Sequence, residues 1–139
     1  MKVCSMLYVI PGEPIPLQRP RYSRTSIRPW DSQKACKLIT GITISGQHRG
    51  PLLEGSLHLD VKFYLTIPRS YSAKKREASK GQPYLSVPDL DNMVKYIQDV
   101  CNGVCYHDDA QITRISAIKC FDDGKGPRTE FTLLTANGD

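Results

Sequence analysis

Over residues 57–67 apolar and polar side chains alternate. Leu57, Leu59, Val61, Phe63, Leu65 and Ile67 fall on one side, and His58, Asp60, Lys62, Tyr64 and Thr66 on the other. Successive strand side chains point to opposite faces, so the pattern predicts a strand with one buried face. Residues 3–10 are apolar and β-branched enough for an earlier strand, which Pro11-Gly12 ends. Pro14, Pro16 and Pro20 then exclude regular structure. Ala35, Leu38, Ile39 and Ile42 recur at helical spacing behind Asp31 or Ser32, either of which suits an N-cap. The Thr/Ile-rich stretch 39–45 is also compatible with a strand. Periodicity vanishes over 68–88, a length that suggests a functional loop, with room for one helical turn at 73–79.

A helix over 90–102 is predicted next, with Asn102-Gly103 as its stop signal. At 100° per residue Met93, Val94, Ile97, Val100 and Cys101 share an apolar face, while Asp91, Lys95, Gln98 and Asp99 gather opposite. Residues 111–121 and 130–136 read as two final strands, joined through the turn Asp122-Asp123-Gly124. With 139 residues and no linker or repeat, the chain is expected to form one α+β domain spanning 1–139.

Composition changes this picture little. Hydrophobic residues make up 40% and charged residues 24%, as in an ordinary soluble domain. No apolar run approaches transmembrane length, and no signal-peptide layout follows Lys2, so a cytoplasmic protein away from membranes is expected. The five cysteines (4, 36, 101, 105 and 120) form no regular framework and are expected to be reduced. Cys101-x3-Cys105-x-His107 matches no standard zinc pattern. Neither a Gly-rich phosphate loop nor a Ser-His-Asp order is present.

Charge is more informative. The net charge is +5, yet residues 89–109 hold Asp89, Asp91, Asp99, Asp108 and Asp109 against the single Lys95. Both basic stretches precede them: residues 1–50 carry eight Lys/Arg and two acids, and residues 69–80 carry five and one. Taken singly each aspartate has an ordinary reading: a helix cap, a helical ion pair with Lys95, or a turn before a strand. Together, in a cationic chain, they repel one another unless a positive charge joins them. A divalent metal is the natural candidate, with a polyanion as substrate. Asp89 and Asp91 lie two apart at the start of the helix, and Asp109 or Asp108 precedes a strand and could complete the set. Lys95, one turn beyond Asp91, can neutralise the cluster or stabilise charge on phosphate.

The run Pro88-Asp89-Leu90-Asp91-Asn92, with Lys95, Asp99, Asn102-Gly103, Asp108-Asp109 and Gln111-Ile112, resembles the signature of the RusA-type Holliday-junction resolvases. A looser likeness takes in Gly-x-Pro-x-Pro and Arg-Pro-Arg within residues 12–21 and the basic loop at about 69–86. The resemblance implies a homodimeric, Mg2+-dependent endonuclease, with Mn2+ able to substitute, that resolves four-way DNA junctions by paired nicks in recombination and repair. It implies a small mixed β-sheet with helices packed on it. Asp89, Asp91 and Asp109 would be metal ligands, with Asp108 possible beside them, and Lys95 the catalytic lysine. The family occurs on bacterial chromosomes and in prophages.

Two basic segments are candidate DNA contacts: Arg19, Arg21 and Arg24 in the proline-stiffened stretch, and Lys74, Lys75 and Arg76 in the long loop, with Tyr22, Trp30 and Tyr71 available for stacking. Solvated charged loops are the plainer reading of both. The competing functions are a module that binds branched DNA without cutting it and a nuclease for other branched DNA.

Overall fold

The computed structural model describes residues 5–18 and 32–135. Four strands, β1 (Ser5–Pro11), β2 (Leu57–Leu65), β3 (Ile112–Phe121) and β4 (Arg128–Thr135), form one sheet in the order β1-β4-β2-β3. β4 is antiparallel to both neighbours, and β2 and β3 are parallel, so the sheet is mixed. A parallel pair needs a long crossover. Here residues 66–111 supply it, carrying α2 (Ala73–Ser79) and α3 (Leu90–Cys101). With α1 (Lys34–Ser45) these make the expected α+β fold.

The core lies between one sheet face and the helices. Leu57, Leu59, Val61, Phe63 and Leu65 are all buried, as their alternation requires. Phe131 and Leu133 continue that face through their pairing with Val61 and Leu59, and the Tyr8 ring stacks on Phe131 at 4.7 Å. From the helices come Met93, Val94, Tyr96, Ile97, Val100 and Cys101. Tyr96 joins the predicted apolar face because its hydroxyl has a partner, Thr40 Oγ1 at 3.0 Å.

α1 keeps the predicted helix through its open 39–45 end and corrects the cap. Stretch 39–45 is helix rather than strand, and the cap position is Gln33; Asp31 lies outside the described residues. The helix buries Thr40 and Ile44, whereas Leu38, Ile39 and Ile42, which suggested it, are about two-thirds exposed. The inward side is chosen by fit rather than by hydropathy. Thr40 hydrogen-bonds the Cys36 carbonyl as well as Tyr96, and Gly41 faces Val100, where an added Cβ would stand at an ordinary contact of 3.8 Å.

Candidate active site

Asp89 occupies the N-cap position of α3, where an aspartate ordinarily accepts a backbone N–H of the first turn. It makes no such bond. Its backbone is held from outside: Lys119 Nζ donates to the carbonyls of Ser86 (2.7 Å) and Pro88 (2.8 Å), and Leu17 N donates to Asn92 O at 2.8 Å. Asp89 and Asn92 line an open hollow of about 610 Å³ with Glu13, Tyr84 and Val87. Asp91, exposed in the first turn, stands 3.9 Å from Lys95 Nζ, also exposed, in a loose helical ion pair. Glu13 was not singled out from sequence, since it is an isolated acid among prolines. Its carboxylate is committed to the amide (3.1 Å) and hydroxyl of Thr66.

The other acids stand elsewhere. α3 ends at Asn102, and Gly103, at φ +76°, turns the chain so that Gly103 N donates to Tyr106 O at 2.8 Å. Tyr106 then ties the loop back by donating its hydroxyl to Gln98 O at 2.9 Å. Asp108 caps a 3-10 turn, Asp109–Gln111, by accepting from Ala110 N at 3.1 Å. Gln111 locks the turn, accepting from the amides of His107 and Asp108 and donating to the carbonyls of Leu53 and Gly55. The Asp109 carboxylate is exposed and has no hydrogen bond or ion pair among the described residues.

The two acidic groups therefore mark opposite ends of α3, whose 12 residues span about 18 Å at 1.5 Å per residue. β3 confirms the separation. It starts beside the Asp109 turn and runs back until Lys119 reaches the carbonyl before Asp89. Among the described residues no three His, Cys, Asp or Glu side chains are grouped so as to hold a metal ion. The expected set of Asp89, Asp91 and Asp109, with or without Asp108, is thus not assembled within one chain. The donors themselves suit Mg2+, which takes hard oxygens and commonly one or two carboxylates completed by water and phosphate. The pair Asp89 and Asp91 meets that requirement, and Asp109 offers a further uncommitted carboxylate.

Of the remaining candidates, Asp99 bonds Lys37 at 2.8 Å and joins α3 to α1. Lys74 and Lys75 are exposed on α2, whose start Ser72 caps by accepting from Lys75 N, and Lys75 Nζ lies 4.0 Å over the Tyr71 ring. Arg76 is half-buried and donates to Pro68 O at 3.0 Å. Arg19, Arg21 and Arg24 lie outside the described residues, as do Tyr22 and Trp30. The thiols of Cys101 and Cys105 are buried together. Its hydrogen bond with Cys105, and then burial, hold Cys101 well above the ordinary thiol range. His107 pairs instead with Glu54 at 2.9 Å.

A family model described as Endodeoxyribonuclease RusA matches residues 11–133. The chain belongs to the RusA endodeoxyribonuclease family. The RusA match takes in α2 and both acidic ends of α3. The chain is also similar to a protein of Bacillus subtilis (strain 168) named "Uncharacterized protein YqaN", at 29% identity over 134 residues, covering 91% of this chain and 93% of that one. As in the sequence reading, no helix among the described residues is long and apolar enough to cross a membrane.

Proposed function

We propose that the protein is a Mg2+-dependent endodeoxyribonuclease that nicks four-way DNA junctions as a homodimer, with Mn2+ able to substitute. One observation carries the reading beyond family membership: Asp89 stands at a cap position and caps nothing. An exposed carboxylate freed from its usual structural duty, two residues from Asp91 and beside Lys95, is what a phosphodiesterase site requires.

Asp89 and Asp91 serve as ligands, and Asp109 serves rather than Asp108, whose carboxylate is committed to its cap. Bound there, a divalent cation supplies charge relief at the scissile phosphate and makes the attacking water more acidic. Lys95 is near enough to Asp91 to donate to a phosphate oxygen as its negative charge grows. α2 brings Lys74 and Lys75 to backbone phosphates.

The separation of the acids gives the dimer its role. Two copies of α3 set antiparallel about a two-fold axis bring Asp89 and Asp91 of one chain to Asp109 of the partner subunit, and do so twice. The outward stripe of α1, Leu38, Ile39 and Ile42, supports helix-to-helix pairing, since α1 adjoins α3 and exposes adjoining aliphatic side chains. A four-way junction is itself close to two-fold symmetric, so two sites related in this way suit paired nicks.

The test is to incubate the protein with a labelled four-way junction and a matched linear duplex, with Mg2+ or with EDTA. Paired nicks in the junction alone, only with Mg2+, are expected. Tight junction binding without nicks across varied core sequences would favour a non-catalytic binding module. Equal cutting of linear duplex would keep the chemistry and remove the junction preference.

A further inference from the structure

Immediately before Asp89, Leu85 is 91% exposed and Val87 77% exposed, the two highest values among the large hydrophobics of the described residues. Single exposed aliphatic residues are ordinary. These two differ in lying on a backbone tied down at several points. Pro83 bridges to Cys120, and Tyr84 N donates to Lys119 O at 3.2 Å. Lys119 Nζ fastens the carbonyls of Ser86 and Pro88, and the Tyr84 ring meets Phe121 edge-on at 4.9 Å. The segment's attachments lie on its protein side, and the two aliphatic side chains stand out into water.

The surroundings narrow what can cover them. Phe121 also contacts Tyr71 (6.1 Å), so α2 with Lys74 and Lys75 is tethered to the same end of the sheet. On the other side lies the Asp89 and Asp91 pair. An apolar tip between cationic side chains and a phosphodiesterase site suits a polyanion that has apolar flat faces to offer, which is nucleic acid with unstacked bases. Leucine, isoleucine, methionine and proline are used in this way by proteins that wedge open base steps.

We propose that Leu85 and Val87 form a wedge that enters the break in base stacking at a DNA branch point and so positions the scissile phosphate at Asp89 and Asp91. The inference rests on the nuclease reading of that site for its consequence, not for the stacking contact. Lys119 is the positioning residue that keeps the wedge rigid.

The experiment places 2-aminopurine at the branch point of a four-way junction and compares wild-type protein with the double variant Leu85→Ser/Val87→Ser. Both positions are exposed, so an unchanged melting curve is expected. Binding of wild-type protein in EDTA should raise the fluorescence as the base unstacks. The double variant should lose most of that rise and bind the junction roughly tenfold more weakly, by analogy with the cost of losing a stacking contact. Its affinity for linear duplex should not change, and Leu85→Phe should restore the signal. A double variant with full fluorescence and affinity would overturn the wedge, and so would one that falls apart into monomers, since the tip would then be a protein interface. Junction nicking by wild-type protein without any fluorescence rise would remove the wedge and keep the nuclease. A rise that the double variant loses, in a protein that never nicks, would keep the wedge and remove the nuclease.

Discussion

Asp91→Asn is expected to slow junction nicking by roughly two to three orders of magnitude, the loss of about 2.7–4 kcal/mol of transition-state stabilisation typical of one preorganised electrostatic group. Binding in EDTA should be unchanged or tighter, because the substitution removes a negative charge from a surface that meets phosphate. Folding should be unaffected. Asp91 is 71% exposed, and its only ion pair among the described residues, with Lys95 at 3.9 Å, is of a kind that contributes little. Asp109→Asn should behave in the same way, whereas Asp108→Asn keeps an oxygen able to accept from Ala110 N and should cost far less. Nicking rates under single-turnover conditions, with binding measured separately, distinguish these outcomes. An Asp91→Asn protein that nicks at the wild-type rate would remove the aspartate from the chemistry.

The second large effect concerns the fold. Arg128 at the start of β4 is buried and bonded at all three guanidinium nitrogens. Nε meets Glu130 at 2.6 Å, the two terminal nitrogens meet Asp123 at 3.0 and 3.1 Å, and one of them also meets Gly126 O at 2.9 Å. The guanidinium carbon lies 3.8 Å over the Tyr64 ring. Arg128→Met keeps much of the packing but leaves Asp123 and Glu130 without their partner. Breaking a fully buried pair costs about 3–5 kcal/mol, and partial exposure of these carboxylates reduces the expectation to about 2–3 kcal/mol. Melting should fall by roughly 6–12 °C for a domain of this size.

The same network has a pH signature. The hydrogen bond from Arg128 is the main cause that holds the Asp123 carboxyl at about 2, below its usual range. A depressed carboxyl stabilises the fold fully above its unfolded pKa of about 4 and loses that stabilisation as pH falls toward the folded value. Wild-type stability should therefore drop between about pH 4 and pH 2, and Arg128→Met should show a shallower drop there. Parallel curves for the two proteins would contradict the assignment.

Most of the fold was legible because local pattern and tertiary role coincide. In β2 the alternation is strict and the core takes the apolar side; in α3 the apolar stripe and the Asn102-Gly103 stop agree with the observed helix. α1 was less legible because two stripes compete on it, and the one that packs carries the Thr40 hydroxyl, which hydrogen-bonds Tyr96. Arg128 gave no signal, since its partners lie in what reads as a plain Asp122-Asp123-Gly124 turn. The residues of the candidate site were legible by type and spacing, but their assembly was not. Nearness in sequence conceals that the length of α3 stands between Asp91 and Asp109.

That separation makes mixed dimers the most direct test of a shared site. Asp91→Asn and Asp109→Asn chains, each inactive alone, are to be unfolded together, refolded, and assayed on the four-way junction with Mg2+. If each site takes Asp89 and Asp91 from one chain and Asp109 from the other, a mixed dimer has one intact site and one doubly altered site. Nicking of a single strand per junction should then return, with up to half of the protein in mixed dimers. If each site lies within one chain, every site in the mixture carries a defect, and activity that stays at the level of the separate variants would contradict the shared site.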